Sequence, residues 1–230
     1  MTRDSDDTNG APAYRAAELG IGYRRLQLEA GERKLWRHAP SSKWQSAEEA
    51  TLAYFVADGW AGHAQERSLI LSLIKAASFP EIPPADRSTF IEAIYAQNVW
   101  PEERKCKKEW LLRNILSADT ARIAANFLAM TSPPAGHTLV FFPTLTLSKM
   151  LGLYAALGNE RLHAIAELFA KDPYMQRSGW PDLTLWRSQD VVFKEVKAPG
   201  DKFQSSQERI ITMILRPLGY DVELVDIIPK

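Results

Sequence analysis

The apolar positions of this chain fall into two regimes. From residue 46 to about 170 they recur every three or four residues, the period of helices with one buried face. From Ser178 on they alternate or run together, as strands do. In the first regime, residues 46–58 (SAEEATLAYFVAD) predict a helix opened by Ser46 with Glu49 three positions on, a capping-box pattern, and stopped at Gly59. A second helix is predicted over 64–77, with Leu69, Ile70, Leu73, Ile74 and Ala77 as its stripe and Glu66 on the same face at its start. Pro80, Pro83 and Pro84 break the chain, and FIEAIYAQ, KKEWLLRNIL and TARIAANFLAM then carry two or three helices over 86–130. TSPPAGHT reads as a loop, and the chain after Pro143 as mostly helical. NERLHAIAELFAKD is a clearer helix, with Asn159 as a cap. In the second regime the pattern is β-β-α-β. The strands are 183–187, 191–197 and the final YDVELVDI, and a capping box of Ser205 and Glu208 opens the helix of Ile210, Ile211, Ile214 and Leu215.

Composition narrows the classes. The 230 residues are 46% hydrophobic, enough for a sizeable core, and residues 1–45 read as a polar N-terminal arm, partly disordered. Lys plus Arg number 28 and Asp plus Glu 28, so bulk charge does not draw the chain to nucleic acid, and any such contact needs a local basic surface. A single cysteine, Cys106, excludes an intrachain disulfide and a multi-thiolate zinc site. The start is polar without an apolar leader core, and no apolar run reaches the ~18 residues of a membrane span. A soluble intracellular protein with no membrane partner is the expectation, in cytoplasm, nucleoid or nucleus.

The chemistry-bearing residues sit in the β-β-α-β unit. Asp182 opens the first strand after a Gly-Trp-Pro turn, and Glu195 and Lys197, two apart on the second strand, share a face. A hairpin pairing brings Asp182 and Glu195 together at one end. Phosphodiester hydrolysis needs this grouping: a hard cation held by a few carboxylates and a carbonyl such as that of Val196, and a lysine to orient or deprotonate water or to stabilise the phosphorane-like charge. The blander alternative is a turn aspartate and an exposed Glu-x-Lys pair. Against it, Val191, Val192, Phe193 and Val196 make the strand apolar on both faces, where an uncompensated charge is costly.

The stretch QRSGWPDLTLWRSQDVVFKEVKAPGDKFQSSQ (176–207) closely resembles the virus-type replication-repair nuclease (VRR-NUC) domain, and within it the nuclease domain of the Fanconi-associated nucleases. The matching residues are Arg177, Ser178, Gly179, Pro181, Asp182 and Leu183, then Glu195, Val196, Lys197, Pro199, Gly200, Asp201 and Lys202, then Gln207; Ala198 stands where glycine is usual. Upstream, 156–172 is similar to the helix that precedes the motif, and 48–70 to the segment holding a further glutamate, matched here by Glu66. The resemblance covers about residues 46–230, with a helical insertion at about 80–140.

The resemblance implies an α/β, restriction-endonuclease-like PD-(D/E)xK core, a mixed sheet flanked by helices, with a helical N-terminal half. It implies a DNA nuclease using Mg²⁺ or Mn²⁺, held by Glu66, Asp182, Glu195 and Val196 with Lys197 completing the catalytic set, cutting flapped or branched DNA in repair or replication to leave 5′-phosphate and 3′-hydroxyl ends. Arg177 and Lys202 are DNA-backbone candidates, and Gln207 either touches a phosphate or holds Lys197. Lys105, Lys108 and Arg113 form a basic run diluted by Glu102, Glu103 and Glu109. Trp60, Trp180 and Trp186 are core before they are base-stacking platforms, and His63 is as much a structural histidine as a neighbour of the metal. The family's separate DNA-binding modules do not fit in residues 1–45, so a protein partner would supply them. The insertion favours a monomer over a dimeric Holliday-junction resolvase; the rival from another class is a silent DNA-binding scaffold.

Overall fold

The computed structural model describes residues 12–97, 107–132 and 142–230. Residues 1–11 of the arm read as partly disordered over 1–45, the TSPPAGHT loop beyond Ser132 and the basic position Lys105 lie outside them. The chain divides into two compact units: residues 1–64, 179–185 and 192–230 form the first, and 65–178 with 186–191 the second.

The first unit holds a six-stranded mixed sheet in the order β2-β1-β6-β5-β4-β3. Its strands are β1 (Gly22–Ala30), β2 (Trp36–Arg37), β3 (Ala61–Ala64), β4 (Leu183–Arg187), β5 (Asp190–Lys197) and β6 (Asp221–Pro229), with α1 (Pro12–Leu19) before β1 and α2 (Ala47–Ala57) between β2 and β3 in the chain. β6 runs parallel to β5 on one side and to β1 on the other. The predicted hairpin of β4 and β5 is present, with Ser188 at φ 54° in its turn.

Residues 13–45 are not an arm. β1 is a nine-residue strand whose Leu26 and Leu28 alternate inward, and its charges find partners on β6: Arg24 Nε lies 3.0 Å from Glu223, and Tyr23 Oη donates to Asp226 at 2.8 Å. A strand with two buried apolar positions among many charges shows weakly as sequence. It forms because a parallel neighbour supplies both ladder and counter-charges. β3 (AGHA) was also unseen. Gly62 allows the close pass: a Cβ there would lie 2.5 Å from a Leu185 methyl and 2.7 Å from one of Leu52.

One face of the sheet buries Leu26, Leu28, Leu183, Leu185, Val196, Val225 and Ile227 with Ala47, Ala50 and Phe55 of α2. Side chains alternate along a strand, so Phe193, Glu195 and Lys197 belong to the other face. α2 starts as predicted, with the Ser46 hydroxyl accepting from the Glu49 N–H at 3.2 Å. The last helix, counted here as α9 (Ser205–Ile210), runs on as a π turn over Ile211–Leu215. Its reciprocal cap is made one residue early, by Gln204 and Gln207, instead of by Ser205 and Glu208.

The second unit is helical: α3 (Ser68–Ser78), α4 (Pro84–Arg87), α5 (Ile91–Ala96), α6 (Lys107–Leu116), α7 (Thr120–Thr131) and α8 (Leu147–Phe169). The helical part expected of the N-terminal half therefore begins after β3. α3 is buried along its whole length. It starts at Ser68, four residues later than predicted, which leaves Glu66 in the turn before it and removes the helical-face argument for that residue. Asn126 of α7 ties the unit: its Nδ2 donates to Ala76 O and Phe79 O at 2.8 Å, and its Oδ1 accepts from Ile82 N at 3.0 Å. Asn159 caps nothing. α8 passes through it after a break at Gly158 (φ 68°, ψ 176°), and its amide bonds Leu116 O and Ala118 O.

Candidate active site

Three of the predicted residues meet on the sheet of the first unit. Their approach starts at Gly179, whose φ is +88° and where a Cβ would lie 2.1 Å from the Ser206 carbonyl oxygen, so only glycine passes this close to α9. Trp180, 1% exposed, anchors the turn in the core. Asp182 follows, just before β4. Its Oδ2 accepts from the Val196 N–H at 2.9 Å, which ties the first strand of the hairpin to the second. In a strand the N–H and C=O of one residue point to the same side, so the Val196 carbonyl also faces the Asp182 side of β5.

Glu195 is fully buried. Its Oε1 accepts from Lys197 Nζ at 2.7 Å and from the side-chain amide of Gln207. Its Oε2 is shielded from solvent and has no hydrogen-bond partner. Lys197, also buried, donates to Gln207 Oε1 at 3.2 Å and stands 5.2 Å above the Phe203 ring. Gln207 is itself fixed, because its Oε1 accepts from the Gln204 N–H at 2.9 Å in the cap of α9. Of its two expected roles, Gln207 holds Lys197; buried, it is not exposed as a phosphate contact would be.

Electrostatics marks the pair as charge-hungry. Burial pushes the Asp182 carboxyl up to about 6, opposed by the Val196 N–H and Lys197 and reinforced by Glu48. Burial raises Glu195 well above the usual carboxylate range, and Asp182 adds to the rise while Lys197 opposes it. A buried carboxyl and a half-buried one facing each other do not both ionise readily unless a cation stands with them. Glu48, in the first turn of α2, is an acidic neighbour the motif reading left out. The Ser46 cap, which places Glu48 in that turn, was the available signal.

The donor set fits a hard divalent cation. Among the described residues no three His, Cys, Asp or Glu side chains cluster as a metal site. Mg²⁺, however, is held by one or two carboxylates plus waters and substrate oxygens, and the orphaned Oε2 of Glu195 beside Asp182 offers such a pair. Glu66 lies exposed in the second unit, in the turn between β3 and α3. Arg177 and Lys202 are both exposed, Arg177 with its guanidinium 5.8 Å from the Tyr174 ring. Trp186 and His63 are buried.

Residues 135–226 match the model of the VRR-NUC domain. A Fanconi-associated nuclease 1 homolog of Oryza sativa subsp. japonica is 25% identical over 227 residues, 92% of this chain and 23% of the relative. Fanconi-associated nuclease 1 of Danio rerio is 30% identical over 118 residues, 50% of this chain and 10% of the relative. The chain thus spans less than a quarter of these curated relatives. Crystal structures of paFAN1 bound to 5′-flap DNA with a gap, one with a 2-nt and one with a 1-nt flap, share its fold at a TM-score of 0.63 and 19% identity. They cover 95% and 97% of this chain, which covers 41% and 44% of theirs. With its mixed sheet and helices, the fold is restriction-endonuclease-like. Residues 135–226 thus resemble a VRR-NUC domain, and the chain is similar along most of its length to a Fanconi-associated nuclease 1 homolog.

Proposed function

We propose that this chain is a divalent-metal-dependent DNA nuclease that hydrolyses phosphodiester bonds in flapped or branched DNA during repair or replication. The observation that carries the reading is the solvent-shielded Glu195 Oε2, left without a donor beside a second carboxyl, the half-buried Asp182. A buried carboxylate oxygen is costly unless something positive meets it. A metal is the partner this donor set suits.

Asp182, Glu195 and the Val196 carbonyl would hold Mg²⁺ or Mn²⁺, with Glu66 added on the sequence resemblance alone. When bound, such a cation lowers the pKa of its water and neutralises charge on the phosphate. Lys197 is clamped between Glu195 and Gln207, so its ammonium orients the attacking water or stabilises the extra negative charge of the transition state. Gln207 acts through Lys197 by holding its position. Arg177 and Lys202 are free to meet backbone phosphates, a contact that weakens with salt. The products carry 5′-phosphate and 3′-hydroxyl ends.

The test is cleavage of end-labelled 5′-flap, splayed-arm, Holliday-junction and single-stranded DNA with Mg²⁺ or Mn²⁺, comparing wild type with Asp182→Ala and Lys197→Ala. Metal-dependent cleavage absent from both variants is expected, strongest on the flap. Binding without cleavage on every substrate would replace the enzyme by a scaffold. A junction preference together with a dimeric mass by light scattering would replace the flap enzyme by a resolvase.

A further inference from the structure

The turn from β1 to β2 and the chain just after β2 carry a charge that the molecule as a whole does not. The chain balances 28 basic against 28 acidic side chains, yet residues 31–45 hold Arg33, Lys34, Arg37 and Lys43 against one carboxylate, Glu32. A neutral protein that meets a polyanion does so through a local basic surface of this kind. Arg33, Lys34 and Lys43 are exposed, and none of the three makes an ion pair with a described residue. Lys230 reaches the same segment, its Nζ donating to His38 O at 3.1 Å. Arg33 and Lys34 hold φ at 55° and 60°, two left-handed non-glycine residues in succession. That conformation costs free energy and collects in functional loops.

Trp44 follows Lys43 directly. It is 41% exposed, a large indole that the core leaves in water. It is nonetheless fixed. Gly31 lies against the ring, where a Cβ would come within 2.7 Å of a ring carbon. The Arg37 guanidinium lies 4.4 Å from a ring centre. Arg37 is itself immobilised: its Nε and Nη2 donate to Glu29 at 2.9 and 2.5 Å, and its Nη1 donates to Pro40 O at 2.9 Å. With every guanidinium nitrogen engaged, Arg37 braces the indole and is not a phosphate contact. An aromatic ring held in place and still open to solvent stacks a base with little further loss of side-chain freedom. An indole reads no hydrogen-bonding edge, so it accepts any unpaired base, whereas a base inside a duplex does not offer its face.

The register puts this ring on the catalytic face of the sheet. Glu29 pairs with Arg37 across β1 and β2, and Arg25, four residues before Glu29, is aligned with Asp226 of β6 and through it with Lys197 of β5. Residues two or four apart on a strand share a face, so Glu29, Arg37, Arg25 and Lys197 project to one side. Three strand spacings and four residues of rise separate Lys197 from Arg37, about 20 Å. The face between them is open over β1, where the Arg25 side chain is 68% exposed and Gln27 is exposed.

We propose that Trp44, braced by Arg37, is a stacking platform for an unpaired base of single-stranded DNA lying across the catalytic face, with Arg33, Lys34 and Lys43 as its phosphate contacts. The proposal rests on DNA being the ligand of this chain but not on its cutting DNA. Fluorescence anisotropy on the full chain in EDTA tests it, with a labelled oligothymidylate and a blunt duplex of equal length as probes. Trp44→Ala, checked for folding by its melting curve, should weaken oligothymidylate binding about tenfold and leave duplex binding within about twofold. Trp44→Phe, which keeps a stacking ring, should recover most of the loss. Lys34→Ala and Lys43→Ala should each lower the slope of log affinity against log salt by about 0.7, the value for one phosphate contact on a single strand. No binding of oligothymidylate by wild type overturns the proposal, as does unchanged affinity in folded Trp44→Ala. So does an equal loss on strand and duplex, which would make the ring part of a general electrostatic surface. Cleavage with no role for Trp44 in binding would leave the nuclease and remove the platform; Trp44-dependent binding without cleavage would do the reverse.

Discussion

In the helical unit, Lys75 is buried with two backbone carbonyls on its ammonium, and Asn126 is buried with both ends of its amide bonded. In the sheet unit, Glu195 is buried just as deeply, yet one of its oxygens has no donor among the described residues and its carboxyl faces another, that of Asp182. Both regions take polar groups out of water. Where every donor and acceptor is matched, the group ties segments of chain together and its role is structural. Where a carboxyl oxygen is left without a donor, the fold alone does not compensate it, and a proton or a cation is needed.

The largest expected break in this comparison is catalytic. Lys197→Ala should lower cleavage by on the order of 10²–10⁴-fold, measured as initial rates on a 5′-flap. EDTA should abolish cleavage, while neither Asn126→Ala nor Lys75→Met should lower the rate of the folded protein by more than a few-fold. Next comes stability. Asn126→Ala strands the Ile82 N–H and two carbonyls inside the helical unit, so it should cost about 3 kcal/mol and lower the melting temperature by about 6–12 °C. A melt that does not shift would show that water replaces the amide and that satisfaction is not what distinguishes the two regions.

The pH dependence separates them by sign. Asp182 titrates near 6 in the folded metal-free protein, above its ordinary 3.8, so the folded state holds the extra proton between the two values. Stability should therefore fall as pH rises from about 4 to about 6, with about 3 kcal/mol from Asp182, and Glu195, raised as well, should add to the fall. Asp182→Asn should reduce that fall to the share of Glu195, and saturating Mg²⁺ or Mn²⁺ should restore the wild type above pH 6 but not the variant. Lys75 titrates near 8, below its ordinary 10.5, so the unfolded state holds the extra proton. Stability should rise between about 8 and 10.5, and Lys75→Met should remove that rise alone. Melting temperatures read across pH in EDTA check both limbs. The smallest effect is at the surface: Lys202→Ala should weaken DNA binding a few-fold and lower its salt dependence by about one counterion.

Much of the site was legible because its information is local. Asp182, Glu195 and Lys197 lie within one hairpin, where strand alternation and a two-residue turn bring carboxyl to carboxyl without reference to the rest of the chain. The role of Gln207 was legible only as a choice, because the same residue at a helix start serves a phosphate in solvent or a lysine in the core. Its burial against Glu195 decides. Glu66 was read onto a helix that begins two residues after it. The apolar stripe of α3 was correct, but Arg67 in a left-handed conformation starts the helix late, and periodicity does not register a single backbone angle.

By itself, then, the sequence determined what short-range rules govern: helices from their period, the Ser46 cap, the β4–β5 hairpin and the meeting of its three charged residues. Tertiary structure decided what depends on partners distant along the chain. β1 is a strand because β6, some 200 residues later, offers hydrogen bonds and counter-charges to a segment with little apolar signal of its own. β3 exists because β4 lies beside it. A residue type states what a side chain is able to do, but desolvation and the matching of donors with acceptors are set by neighbours that only the folded chain assembles.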